Sequence, residues 1–306
     1  MGIVSIINEV LVLFFIIIIG YFAKKYNIIN HEANKKITEL LLKITTPCML
    51  VSSFQFDFSL KMLFNAMIFF LCALGILVFS VFVGEIIFNR FPLGKKSVLK
   101  HVTVFSNNTF MGFPVLEAFY GKIGVFYGSV FLIPNNLLLW TYGVFVFNKK
   151  KDIKSMKKAL LNPGFIAVII GFLLFILSIE LPYPVLKTLE TVGSITSPLA
   201  MVIIGASLAD LDFKSIFSWS QAYYGIVLRI IIIPLVAFSA LKLLGIEGDL
   251  MSILVLLTAM PAAAITALFA NMYGGDISFA SRSIGISTIL SVFTLSLFVL
   301  LIQGGT

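Results

Sequence analysis

The chain has 306 residues, of which 59% are hydrophobic and 12% charged, and its net charge is +8. A soluble domain of that length is nearer half apolar and one quarter charged. The composition therefore excludes a water-soluble fold and, with it, a nucleic-acid binder, whose basic surface needs a soluble domain to carry it. Mean hydropathy is +1.07, apolar runs of about 18 residues or more recur, and period-two alternation of the outer-membrane kind is absent. The fold class is an all-α polytopic membrane protein.

Ten spans are predicted. The first, 4–24, has nothing basic before it, ends in Lys24 and Lys25, and lacks a small-x-small cleavage site, so it reads as a retained helix and not a signal peptide. The second, 35–56, carries Lys43, close enough to the inner face to snorkel, and then Ile44-Thr45-Thr46-Pro47. The third covers 60–88. Cys48 and Cys72 lie in these spans without metal-ligand spacing, which predicts neither a disulfide nor a metal site.

The fourth span, 98–120, contains Ser106-Asn107-Asn108-Thr109-Phe110-Met111-Gly112-Phe113-Pro114, poor helix material inside an apolar run. The fifth, 123–147, has Gly124 and Gly128 at a spacing that suits close helix packing, and Pro134-Asn135-Asn136 at mid-length. The basic segment 149–158 leads to the sixth span, 163–181. The seventh, 185–209, holds Ile195-Thr196-Ser197-Pro198. The eighth, 216–244, contains Arg229. The ninth, 250–273, contains Pro261 and Thr266, and the tenth is 277–302. The 31 Phe read mostly as lipid-facing bulk.

Charge orients these spans. With the N-terminus outside, 16 of the 22 Lys and Arg fall in inner connections and four in outer ones. The positive-inside rule then places both termini on the extracytoplasmic face of the plasma membrane. The run at 149–158 has two readings: a topology signal lying on anionic lipid, or a docking segment.

The sequence also repeats itself. Ile44-Thr45-Thr46-Pro47 returns as Ile195-Thr196-Ser197-Pro198, Asp57-Phe58 as Asp212-Phe213, and Tyr120-Gly121 as Tyr273-Gly274, at offsets of 151, 155 and 153. Each match is weak, but the three keep one order and nearly one offset. They divide the chain into a first five-span repeat, 1–148, a basic cytoplasmic loop, 149–162, and a second repeat, 163–306. Five is odd, so the second copy enters the membrane inverted, as in secondary transporters.

Spans four and nine break at matching places, Asn107–Pro114 and Pro261, and such pairs point to a transport site. Unwound backbone is costly in lipid and must face protein or a wet cavity. Half-helix termini and free N–H groups there favour an anion. Arg229 lies about 18 Å into its span at 1.5 Å per residue, so it needs a partner. Glu85, Glu117 and Asp210 are candidates, and so is a carboxylate substrate. Asn135 and Asn136 either bond neighbouring helices or line the site. Thr45, Thr46, Pro47, Ser197 and Pro198 sit symmetrically in spans two and seven, where they serve packing of kinked helices or face the substrate.

The stretches SNNTFMGFPVLEAFYG (106–121), NNLLLWTYGV (135–144) and AMPAAAITALFANMYGGD (259–276) resemble the auxin efflux carrier family, which includes plant auxin carriers and bacterial carboxylate permeases of the malate and malonate type. The resemblance runs over essentially the whole chain. It implies a fold similar to bile acid sodium symporters, with spans 1, 2, 6 and 7 as scaffold and spans 3–5 and 8–10 as a moving transport domain. By position, Asn107 matches the family's crossover Asn, Gly112 and Pro114 its Gly-x-Pro, and Pro261 its second crossover Pro. Asn108-Thr109 stands where the family often has Thr-Gly. Ile265 and Thr266 occupy a region where it often has Asn. The long loop of the plant carriers is missing, which argues against auxin itself.

The resulting expectation is a permease for a small organic anion, such as a dicarboxylate or an auxin-like acid, working by elevator-like alternating access. The expected substrate set is Asn107, Asn108, Thr109, Gly112, Pro114, Asn136, Pro261, Thr266 and Arg229, with Thr45, Thr46, Pro47, Ser197 and Pro198 on the scaffold side. No cofactor or metal is expected; H+ or Na+ is the candidate coupling ion, and a homodimer stays open. An enzyme is disfavoured, because His31 and His101 both read as inner-surface residues and neither H-E-x-x-H nor G-x-S-x-G occurs. A channel or a membrane ligand sensor on the same fold is the alternative.

Overall fold

A backbone surrounded by apolar side chains must satisfy its own N–H and C=O groups, and the helix does so within one segment. The computed structural model describes residues 3–147, 162–210 and 220–304, and its regular elements are helical throughout, with one isolated β-bridge. The basic segment 149–158, Asp212-Phe213, Lys214 and both extreme termini lie outside the described residues.

In chain order the helices are α1 (Ile3–Lys25), α2 (His31–Leu40), α3 (Thr46–Ser53), α4 (Leu60–Ile87), α5 (Leu93–Val104), α6 (Phe113–Leu138), α7 (Val144–Phe147), α8 (Pro163–Ile176), α9 (Tyr183–Gly193), α10 (Thr196–Leu208), α11 (Ser220–Val227), α12 (Ile233–Leu243), α13 (Gly248–Ala259), α14 (Ile265–Tyr273) and α15 (Ile277–Gly304). Helix therefore occupies each of the ten predicted stretches. Five stretches are long and apolar enough to cross a membrane: Leu60–Ile87, Asn108–Phe147, Tyr183–Leu208, Ser220–Leu243 and Ile277–Ile302; α8 and α13 are shorter apolar helices. The second of these stretches reverses at Gly121, where φ is 55°, a conformation that glycine reaches without strain.

Wide π-helical turns interrupt the α-helices at Leu41–Thr45, Asn108–Gly112, Leu139–Gly143 and Leu228–Ile232. Three of the four are followed, two residues on, by a proline: Pro47, Pro114 and Pro234. A proline has no N–H, and its ring displaces the carbonyl one turn back. The backbone widens to accommodate this, and such bulges recur at functional sites.

The described residues cluster in two units. The first draws on Met1–Ile68, Thr109–Leu132 and Leu160–Asp210; the second on Phe69–Asn108, Ile133–Ala159 and Leu211–Thr306. In the first, α1 and α10 meet backbone to backbone. A Cβ at Gly205 would stand 1.9 Å from Ile17 O, and one at Gly20 2.3 Å from Val202 O. Small residues allow this approach where hydrophobicity gives no drive between helices in lipid. Gly124 does the same against Leu116 O, as its spacing suggests. Phe54 rests on Phe126 and Phe172 in edge-on contacts.

In the second unit, α13 is buried from Met251 to Ala259 and α5 from Ser97 to Val104. Across both units the expectation for phenylalanine needs correction. Phe64 and Phe82 on α4 are exposed as lipid-facing bulk, but Phe54, Phe69, Phe88, Phe105, Phe126, Phe175, Phe269 and Phe279 are core. Bulky rings fill the irregular space around broken helices as well as they cover a lipid face.

Candidate substrate site at two broken helices

The second unit contains the unwound residues of both breaks, Phe105–Asn107 and Met260–Ala264. Helix α13 stops at Ala259, and Met260 is extended with ψ 147°, the conformation imposed on a residue before proline. Helix α5 stops at Val104, and Phe105 is extended. The two unwound strips then pair. Ser106 and Ala262 form an antiparallel bridge, Asn107 N–H donates to Pro261 O (2.8 Å), and Ala263 N–H donates to Phe105 O (3.0 Å). Ala262 N–H donates to Ser287 Oγ on α15 (3.1 Å). The amides at 262 and 263, next to Pro261 and expected to be free, are thus occupied. The first break is also shorter than the sequence suggests. Only Phe105–Asn107 separate α5 from the turn at Asn108, so Gly112 lies in the π-helical turn and Pro114 just after it, in a helix already running, where the wide turn accommodates its missing donor.

Arg229 lies in the π-helical turn Leu228–Ile232 and is 1% exposed. Its Nε donates to Met260 O (3.2 Å), Nη1 to Thr103 O (3.3 Å) and Val104 O (3.2 Å), and Nη2 to Leu257 O (3.3 Å) and Thr258 O (2.8 Å). A guanidinium has five donors, and five carbonyls receive them. The partners are not the carboxylates expected for it. Glu85 is taken by Lys100 and Tyr142, Asp210 by Lys24, and Glu117 by the Ser197 hydroxyl. Helix ends supply the compensation instead: the last carbonyls of α5 and α13 have no intrahelical donor and form the negative poles of their helices.

Side chains at the first break have the opposite character. Asn108 is 3% exposed, and neither Nδ2 nor Oδ1 has a hydrogen-bond partner. Ser106 Oγ, two residues earlier, is buried and unpartnered as well, and so is Asn135 Oδ1. A buried polar atom without a partner costs about 1–3 kcal/mol, so each one requires an explanation. Asn107 is buried and Thr109 partly so.

Other expected residues fall elsewhere. Thr266, predicted to meet substrate, is fully buried with its Oγ1 2.9 Å from His101 Nδ1. His101, expected at the inner surface, is fully buried among the rings of Phe105, Phe147 and Phe269. Asn135 is the buried member of its pair, whereas Asn136 is only partly covered. In the first unit, Thr45 and Thr46 are buried, and Thr46 Oγ1 has no partner. Thr196 Oγ1 is likewise unpartnered, Ser197 donates to Glu117, and Pro198 is exposed. No cluster of three His, Cys, Asp or Glu suited to a metal occurs among the described residues, and both cysteines are free.

A family model described as "Membrane transport protein" matches residues 5–299. The chain belongs to this family. The assignment agrees with the resemblance to the auxin efflux carriers and makes the protein a transporter rather than an enzyme. An "Uncharacterized transporter" of Methanocaldococcus jannaschii is 28% identical over 95% of this chain and 97% of its own length. A second "Uncharacterized transporter", from Methanothermobacter thermautotrophicus, is 24% identical over 97% of this chain and 98% of its own. A Rhizobium meliloti protein named "Putative malonate transporter" is 27% identical over 47% of this chain and 45% of its own.

Ser106 and Thr196 are not in the expected substrate set, His101 is expected at the surface, and Asn135 is weighed with Asn136, of which only Asn136 enters the set. Ser106 and Asn135 adjoin motif residues, so proximity to Asn107 and Asn136 was the available signal. His101 had none, because one histidine near a basic stretch reads as surface until the fold closes over it.

Proposed function

We propose that the chain is a secondary transporter of a small organic anion, a carboxylate of the malonate type, that binds at the crossed, unwound strips of spans four and nine. The observation that carries this reading is the Asn108 carboxamide, buried with both polar atoms unpartnered. An amide donates to a carboxylate without placing a fixed charge in hydrocarbon, and a carrier must release what it binds. Asn107 shares the role. Support for malonate chemistry comes from the name of the Rhizobium meliloti relative.

The further parts of the proposal are an inverted ten-span repeat, with spans 1, 2, 6 and 7 as scaffold and the others moving in an elevator-like cycle. Broken helices in both halves support it. Both termini lie outside the plasma membrane and the segment 149–158 inside, as the lysine bias requires. Labelling of a single cysteine at 152 from outside intact cells refutes that topology.

The site is tested on purified protein, with malonate affinity and melting temperature measured on the same samples. Asn107→Ala and Asn108→Ala each weaken malonate binding about tenfold to a hundredfold, the equivalent of one lost hydrogen bond to a charged ligand of about 1.5–3 kcal/mol. Asn107→Asp is worse, since it sets an anion against an anion. Unchanged affinity with lowered melting temperature makes these residues helix glue and ends the claim. In vesicles, malonate flux saturates for a carrier; linear flux favours a channel.

A further inference from the structure

We infer that Arg229 decides the sign of the charge admitted at the crossover without touching the substrate. The inference rests on the anion reading above and adds to it a positioning residue that sets specificity. Four half-helix ends belong to the two breaks, and two of them are C-termini: α5 at Val104 and α13 at Ala259. Each C-terminus carries about half a negative charge and each N-terminus about half a positive one. Left alone, the ends of a broken-helix pair cancel, and the site shows no preference for an anion.

Arg229 removes that symmetry. Its five donors cover Thr103 and Val104 at the end of α5 and Leu257, Thr258 and Met260 at the end of α13. One full positive charge thus stands against two half-charges, within hydrogen-bond distance of both. The opposing ends are uncancelled: α14 starts at Ile265, and the helical turn that leads into α6 starts at Asn108. The balance is about one positive charge, which matches one carboxylate group. Because all five donors are used, Arg229 has none to offer a ligand, and an anion cannot draw it away without breaking the helix ends apart. The charge acts through the termini it neutralises, and the ligand's hydrogen bonds come from groups such as the Asn108 amide, which is buried and unpartnered. Burial at 1% keeps water from screening the effect.

The geometry also distinguishes this role from simple structural support. Any group that holds the two C-termini together would serve the fold, but only a cation would serve anion selection. The probes are malonate and its neutral diamide, malonamide, each titrated against the full-length purified chain and against Arg229→Met and Arg229→Lys. Wild type prefers malonate. Arg229→Met keeps an unbranched side chain, shorter and without the charge, and the preference for malonate over malonamide drops at least tenfold. Arg229→Lys has three donors for five carbonyls, so it melts earlier, yet it keeps the preference within about threefold. If Arg229→Met does not fold, Arg229→Lys alone decides: a folded lysine variant that loses the preference tenfold overturns the inference, as does a folded methionine variant that retains it. Failure of wild type to bind malonate overturns the anion reading and this inference with it. Loss of binding in Asn108→Ala beside an unchanged preference in Arg229→Met overturns this inference alone.

Discussion

The two breaks use the same backbone device and differ in what their side chains do. At the second, Pro261 is followed by Ala262, Ala263 and Ala264, whose N–H groups at 262 and 263 are taken by Ser287 Oγ and Phe105 O. Its flanking hydroxyls are tied as well, Thr266 to His101 and Thr258 to Val255 O. At the first, Ser106 and Asn108 are buried with unpartnered side-chain atoms. The chain has two such breaks, but a small ligand needs recognition groups only once. One break is closed by internal bonds, while the other holds buried polar atoms without partners.

Stability measurements on folded variants break or sharpen that contrast. The largest effect belongs to the clamp that both breaks share. Arg229→Ala leaves five carbonyls of two helix ends without donors and costs at least ~3 kcal/mol; a variant as stable as wild type shows that the helix ends do not need the cation. Next is Thr266→Val, nearly isosteric, which strips His101 Nδ1 of its partner and costs about 1–3 kcal/mol. Malonate affinity then stays within about threefold, and a large affinity loss instead returns Thr266 to the ligand site. Ser287→Ala takes the acceptor from Ala262 N–H and lowers stability by about 1 kcal/mol, read as an earlier melting transition. The smallest stability change is expected at the first break. Asn108→Ala removes an amide that bonds to nothing, so the apoprotein is no less stable within about 0.5 kcal/mol. If that variant falls as far as Thr266→Val, the two breaks are alike and the asymmetry is wrong.

The polytopic helical class and the positions of the helices were determined by the sequence, because hydrocarbon allows one local solution to backbone hydrogen bonding and an apolar run of sufficient length must take it. The places of the breaks were legible too: Pro261 forces Met260 out of the helix by local sterics, and Asn107-Asn108 marks its counterpart. Partners were not. Arg229 was legible as a buried cation in need of compensation, but the sequence offers only charged residues as candidates, while the structure uses backbone carbonyls at two helix ends that no side-chain pattern encodes. His101 meets Thr266 across 165 residues, and Ala262 meets Ser287 across 25. The same holds for which asparagine is buried: Asn135 and Asn136 are equal in composition, and only the rotation of the helix within its unit separates them. Local rules act through the chain, whereas satisfaction of a buried polar group depends on what the fold brings within about 3 Å, and that is decided by packing alone.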